Sequence, residues 1–449
     1  MNMLKCKVMM FVLLFVVIYQ PMISGWEDME SILSAIKEPV FPDREFVITD
    51  YGAIGDGQTN VLPAIQSAID EANVLGGGRI VIPQGEWFSE GPVHLKSNIN
   101  LIISEGATLI FTADPKYYLP AVLTRWEGTE VFNYSPLIYA YNAINVAISG
   151  NGTIIGNGGE VFSTFRDIQG NAQNLLREMG ANNVPLYNRV FGEGYYLRPN
   201  MIQFFSCQNV LIEGITIKDS PMWVNHLVYT SNAIMRNVTV DSHRLNNDGI
   251  VIESSANVLI EGNSFNTGDD SIVIKSGRDQ DAWRVGRPSQ NIIIRKNVME
   301  GHNAIAIGSE MSGGVRLVYI EDNKLMTVRN AIYFKANLDR GGIVENIYVR
   351  NIEIKNSDSV VRFRTDYHGY RGDMHPPLFR DIIVEDITCK KTSEVVVEAR
   401  GTEKAETIHN ILIKDVKVLN AAKTVNIFGV NEFVLENVII NNKKYNKFY

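Results

Sequence analysis

Apolar and polar residues alternate with a period of two through most of the chain, the signature of β-strands. One strand pattern, with the frame N-x-x-I and alternation after it, recurs eight times. It reads N-V-L-I-E-G-I-T-I (209–217), N-A-I-M-R-N-V-T-V (232–240), N-V-L-I-E-G-N-S-F (257–265) and N-I-I-I-R-K-N-V-M (291–299). It returns as N-I-Y-V-R-N-I-E-I (346–354), D-I-I-V-E-D-I-T-C (381–389), N-I-L-I-K-D-V-K-V (410–418) and E-F-V-L-E-N-V-I-I (432–440). Where no loop intervenes the starts lie 23, 25 and 22 residues apart, the length of one solenoid turn made of three short strands. The pattern predicts an all-β chain: a single-stranded right-handed parallel β-helix of roughly ten turns with Val, Ile and Leu filling its interior. Residues 26–449 form one elongated domain.

The ends and interruptions of the pattern are equally informative. Residues 46–111 read as an N-terminal cap. Within it lie a strand over 46–53, a turn over 55–60 and a helix whose apolar stripe is Ala64, Ile65, Ala68, Ile69, Ala72 and Leu75. Gly76, Gly77 and Gly78 stop the helix before a strand over 79–83. Such a helix covers the open end of a solenoid. Three insertions, 156–199, 277–289 and 357–379, break the period and are expected on one face, beside the functional site. They carry aromatics (Phe162, Phe165, Tyr187, Phe191, Tyr195, Tyr196, Trp283, Tyr367, Tyr370), which offer flat faces for stacking. They also carry cations (Arg278, Arg284, Arg287, Arg362, Arg364, Arg371) and His368 and His375. Arginine forks pair with carboxylates.

A second strand pattern carries the candidate chemistry. It reads Asn247-Asp248-Gly-Ile-Val-Ile-Glu253, Asp269-Asp270-Ser-Ile-Val-Ile-Lys275, His302-Asn303-Ala-Ile-Ala-Ile-Gly308 and Arg329-Asn330-Ala-Ile-Tyr-Phe-Lys335. Stacked as rungs roughly 4.8 Å apart, these put Asn247, Asp269, His302 and Arg329 in one column. Asp248, Asp270, Asn303 and Asn330 fall in the next, and Glu253, Lys275, Gly308 and Lys335 in a third. Three carboxylates and an imidazole then share one small patch. Like charges that close raise one another's proton affinity and leave an acid protonated near neutral pH, as acid/base chemistry requires. Asn303 and Asn330 read as a ladder that satisfies the rung corners.

These motifs, N-N-D-G (246–249), T-G-D-D-S-I-V-I-K-S-G (267–277), G-H-N (301–303) and I-G-S-E-M-S-G-G-V-R (307–316), resemble in order and spacing the signature set of the polygalacturonases, glycoside hydrolase family 28. The bacterial exo-acting members are the nearest in kind. The resemblance implies inverting hydrolysis of α-galacturonosyl linkages in pectic poly- or oligosaccharides. It makes Asp269 the general acid, has Asp248 and Asp270 hold and activate a water, and sets His302 beside Asp269. Inversion leaves room for that water between acid and base, on the order of 6.5–9.5 Å. Asp269 and Asp270 can serve together only if the chain bends at 268–270, where Gly268 stands. Asn246 and Lys275 are further candidate substrate contacts. Where the family has R-I-K, this chain has Tyr333-Phe334-Lys335. Lys335 keeps a cation, Tyr333 loses one, and Arg329, Arg340 and Arg284 are candidate replacements. The change raises the alternative that the leaving sugar is rhamnose, as in a rhamnogalacturonan galacturonohydrolase. The 156–199 insertion is expected to close one end of the cleft and favour release from a chain end. A β-helix pectin lyase using calcium, and a non-catalytic sugar-binding solenoid, are the other readings.

Composition bounds the partners. Residues 1–25 read as a signal peptide, with Lys5 and Lys7 before the apolar run Val8–Ile18, which implies a secreted or periplasmic protein with no membrane attachment once it is cleaved. Removing it takes the formal charge from −8 to −10, which disfavours nucleic acid. An anionic substrate must therefore be met by local cations. Cys207 and Cys389 read as two buried thiols, no Cys/His cluster suggests zinc, and neither a metal nor another cofactor is expected. A monomer is expected.

Overall fold

The computed structural model describes residues 25–159, 161–368 and 372–449. The predicted signal peptide, up to residue 24, and Tyr370 and Arg371 lie outside the described residues. Almost every strand belongs to one 31-stranded sheet wound on itself, each rung pairing in parallel with the next. Crossovers between parallel strands are right-handed, and the chain is a right-handed parallel β-helix as expected. Inside, like residues stack at the rung spacing. Ile252, Ile274, Ile307, Phe334 and Phe363 occupy one register column, all essentially inaccessible to solvent. Phe334 and Phe363 stack with centroids 4.4 Å apart.

The first residue of each N-x-x-I frame has a specific task. Asn209, Asn232, Asn257, Asn291, Asn346, Asp381, Asn410 and Glu432 all take left-handed backbone, with φ between 52° and 58°. Asn and Asp tolerate that corner best among residues with a side chain. Asn232 donates to Asn209 and Asn209 to Asn145, so the corners are also stitched rung to rung.

A helix the sequence did not announce, α1 (Glu27–Ala35), lies along the outside of one sheet. Met29, Ile32 and Leu33 cover an apolar stripe that includes Leu211, Ile234, Leu259, Ile293 and Tyr319. Trp26 anchors this strap, donating to Glu385 at 3.0 Å and stacking under Arg350. The capping helix α2 (Leu62–Val74) buries the expected stripe except Leu75, which is half exposed beyond the helix end. Two readings of the cap are corrected. Only Glu45–Val47 is strand before a tight 3-10 turn over Ile48–Tyr51. Asp56–Asn60, read as a turn, is a strand pairing with Gly85–Ser89.

The insertions are folded elements. Residues 156–199 contain α3 (Val161–Ile168) and α4 (Gly170–Ala181); residues 277–289 contain α5 (Asp279–Val285). The third insertion begins later than expected, because strand Ile352–Arg364 carries Arg362 and Arg364 on a rung. An antiparallel hairpin, Val122–Trp126 with Thr129–Asn133, leaves the solenoid and lies over the sheet on the N-terminal side of the acid cluster. The rungs were expected to run unbroken through this stretch. Cys207 and Cys389 are buried free thiols.

Candidate active site

The strands Ile250–Glu253, Ile272–Lys275, Asn303–Gly308 and Lys324–Lys335 stack in the register read from the sequence. Glu253 faces Lys275, Asn303 faces Asn330 and Gly308 faces Lys335. The acids sit in the corners just before these strands. The bend expected at 268–270 is present between strands Ser264–Thr267 and Ile272–Lys275. Gly268 is required there by crowding rather than by left-handed backbone, since a Cβ would fall 2.3 Å from the Arg244 carbonyl oxygen.

Each acid has a different environment. Asp270 is buried and doubly held: Asn303 Nδ2 donates to Oδ1 at 2.7 Å, and Lys335 Nζ donates to Oδ2 at 2.7 Å. Asn330 donates to Asn303 in turn, which completes the ladder. Asp248 is buried with no side-chain donor among the described residues. Burial and the neighbouring Asp269 and Asp270 charges push its carboxyl well above the usual range, despite Lys275 and Lys335. Asp269 is the most open, its side chain 25% exposed, with Oδ1 3.4 Å from His302 Nδ1. Burial raises its proton affinity, but His302, Lys335 and Lys275 outweigh that and hold it below the usual range. Of these two acids Asp248 therefore has the higher proton affinity in the ligand-free cluster, whereas the resemblance makes Asp269 the acid.

Arg329 is turned onto His302 and is not among the residues that line the cavity beside the acids. Its Nη1 lies 3.2 Å from His302 Nε2. A guanidinium only donates, so Nε2 accepts and the ring proton sits on Nδ1, facing Asp269.

The acids open into a cavity of about 470 Å³, within the range of small-ligand sites. Asn246, Lys275, Lys335 and Arg340 line it as expected. Asn246 is held by Arg198 at 2.7 Å. Lys275 pairs with Glu310 at 2.9 Å and lies over the Trp223 ring. Arg340 pairs with Asp279 at 2.7 Å and with Glu310 at 3.5 Å. Two candidates are corrected. Tyr333 is buried behind the wall, edge-on to Tyr367, which lines the cavity in its place. Arg284 points away, because α5 turns it onto Glu130 and Asp281. Two aromatics of 156–199, Phe162 and Phe165, are not sugar platforms: they pack into the core beside Tyr118 and Tyr134.

Sequence reasoning missed Glu127, Gln173, Arg177, Trp223, Ser309 and Glu310, which also line the cavity. Glu310 lay inside a quoted motif, and its position beside Lys275 could have been read from the rung register. Glu127 carried no signal, because the hairpin that bears it interrupts the repeat. Asp269, Asp270 and His302 place ligand atoms within 4.8 Å of one another, a geometry that could take a cation. However, both Asp270 oxygens are already engaged, one by the ammonium of Lys335. That weakens the calcium-dependent lyase reading.

A parallel β-helix with three carboxylates in one solvent-accessible cavity and a histidine beside one of them is an architecture that suits a glycoside hydrolase. Residues 79–434 match Glycosyl hydrolases family 28, and the chain belongs to that family. The exopolygalacturonase structure from Thermotoga maritima is 38% identical, covers 95% of this chain and 98% of its own, and superposes with a TM-score of 0.90. A probable polygalacturonase of Vitis vinifera is 29% identical, covering 76% of this chain and 69% of its own. An exo-poly-alpha-D-galacturonosidase of Dickeya chrysanthemi is 27% identical, covering 88% of this chain and 70% of its own.

Proposed function

We propose that this hydrolase removes galacturonic acid from chain ends of pectic poly- or oligosaccharides, with inversion at the anomeric carbon. The observation that carries the reading is the shape of the cavity. It is lined by Asp248, Asp269 and Asp270 and, beyond Lys275, Glu310 and Arg278, by Glu127 from the hairpin and Gln173 and Arg177 from α4, a wall outside the repeat that we read as closing one end. The wall stands on buried groups: Arg125 lies over Glu253, which accepts from His226 at 2.8 Å. A chain cannot pass through such a wall, so only its end enters. The exo-acting relatives from Thermotoga and Dickeya support the same reading.

In the reaction a water attacks C1, the bond from C1 to the leaving oxygen breaks, an acid protonates that oxygen, and a base takes the proton of the water. Asp269 is the acid, being the most open of the three and backed by His302. Asp248 and Asp270 orient the water. A substrate carboxylate entering beside Lys275 and Lys335 offsets the charges that hold Asp269 down. Its proton affinity rises, as a general acid requires.

A second reading, that the leaving sugar is rhamnose, is favoured by Tyr333 and by the engagement of Lys335 with Asp270, which together leave little to grip a carboxylate on the leaving side. The leader read from residues 1–25 supports a location outside the cytoplasm.

The test is product analysis on end-labelled polygalacturonan and rhamnogalacturonan oligosaccharides, wild type beside Asp269→Asn. Galacturonic acid released one unit at a time, and lost in the variant, is expected from one of the two substrates. A ladder of internal fragments would sink the chain-end reading.

A further inference from the structure

The closed end of the cavity is made by a two-residue hairpin turn, Glu127-Gly128. Both residues have positive φ, 43° and 87°. Gly suits that turn, whereas Glu is an unusual occupant of its first position. A strained position held by its surroundings is a place to look for function. The tip is clamped from three sides. Arg278 Nε donates to the Glu127 carbonyl at 2.9 Å, Arg278 N donates to the Gly128 carbonyl at 2.9 Å, and Arg125 Nε donates to the same carbonyl at 3.2 Å. There is no slack: a Cβ at position 128 would lie 2.8 Å from the Glu310 side chain.

The Glu127 carboxylate is asymmetric. Gln173 Nε2 donates to Oε2 at 2.7 Å, Arg177 Nη2 donates to it at 2.8 Å, and Arg278 Nη2 lies 3.6 Å from it. Oε1 receives no hydrogen bond from any described residue, yet the side chain lines the cavity. Burial raises the proton affinity of this acid, but the Arg177 and Arg278 charges outweigh it and keep it ionised. Two donors and the Arg278 charge therefore fix one oxygen and present the other, an anionic acceptor, at the end of the cavity away from the catalytic acids.

On a pyranose whose C1 lies at the catalytic acids, the atom across the ring is C4. In a 1,4-linked chain the C4 oxygen carries the preceding sugar, and only at the non-reducing end is it a free hydroxyl. We infer that Glu127 reads the chain end: its Oε1 accepts a hydrogen bond from the C4 hydroxyl of the terminal galacturonate, and the clamped tip excludes any residue attached there. This rests on the chain-end reading of the site and names the group that enforces it. A terminus without that hydroxyl, such as one left by eliminative cleavage, is a poor substrate. The enzyme thus consumes ends generated by hydrolysis.

The test compares kcat/KM on trigalacturonate and on the same trimer with a 4-deoxy non-reducing unit, for wild type, Glu127→Ala and Glu127→Asp. The Asp variant keeps a charge beside Arg177 and Arg278 but withdraws the carboxylate from the sugar, so the test survives if the Ala variant fails to fold. A hydrogen bond to a charged acceptor corresponds to a preference of about 10- to 100-fold. Wild type should show that preference, and both variants should lose it by slowing on the natural trimer alone. Equal wild-type rates on the two trimers, with single units still released, would overturn the role of Glu127 and leave chain-end action standing. A preference that persists in both variants would assign the reading to another group. Fragments from internal cleavage would remove the chain-end premise itself.

Discussion

Lys335 Nζ meets Asp270 Oδ2 at 2.7 Å although the two lie 65 residues apart in sequence, and both side chains are almost wholly buried. They stand two rungs apart, with Asn303 between, so Lys335 serves as the fixed counter-ion of the acid cluster. Removing one partner of such a pair leaves a buried charge uncompensated, which costs about 3–5 kcal/mol. Lys335→Met should lose that stability in denaturant titration. Lys335→Met combined with Asp270→Asn should regain most of it while remaining inactive. A double variant no more stable than the single would show that the pair is not the source.

Asp248 gives a pH dependence with a definite sign. Its folded carboxyl holds the proton above the usual range, whereas in the unfolded chain it ionises near pH ~3.9. Between these limits the native state binds more protons, so this group's contribution to stability falls as pH rises. Asp248→Asn removes the penalty. Its melting temperature should exceed that of wild type at about pH 7, and the two should converge near pH ~3.5. Its turnover should fall by about 10²- to 10⁴-fold, the usual contribution of a general acid or base. A melting difference that does not vary with pH would place the proton elsewhere in the cluster.

The contact from Arg329 to His302 bears on catalysis through the tautomer it sets. In Arg329→Gln the side-chain amide can either donate to or accept from Nε2, so the ring is no longer held with its proton toward Asp269. One net hydrogen bond corresponds to about a 5- to 10-fold effect. A drop of that size is expected in kcat, with KM unchanged and the acid limb of the kcat profile displaced. A rise in KM alone would instead make Arg329 a substrate contact.

The strap formed by α1 predicts a stability effect remote from the chemistry. Met29 is buried against the outer face of the solenoid, and Met29→Ala should cost about 2–5 kcal/mol. Because the strap packs on the outer face, against none of the described residues that line the cavity, kcat/KM should be unchanged below the new melting point. An unaltered melting temperature would show that α1 is only loosely held.

The sequence by itself determined the solenoid and its register. Period-two alternation and the recurring left-handed Asn are local rules repeated at every rung. Stacking the four acid-bearing segments therefore places Asp248, Asp270, Asn303 and Asn330 in one column from the order of residues alone, and the bend at Gly268 is required by the same logic. What only the tertiary structure decided lies wherever the repeat stops. The 122–133 hairpin, α4 and α1 pack through contacts distant in sequence, so no rung pattern could announce Glu127, Gln173 and Arg177 at the closed end. Tyr333 and Arg329 sat in the right columns, but a column fixes only where a Cα lies. Whether the side chain turned inward onto Tyr367, sideways onto His302 or out to substrate was settled by the neighbours it met. Likewise the contrast between Asp248 and Asp269 in proton affinity came from burial and from neighbours such as His302 and Lys335, because charge–charge energies depend on distances that the linear chain does not specify.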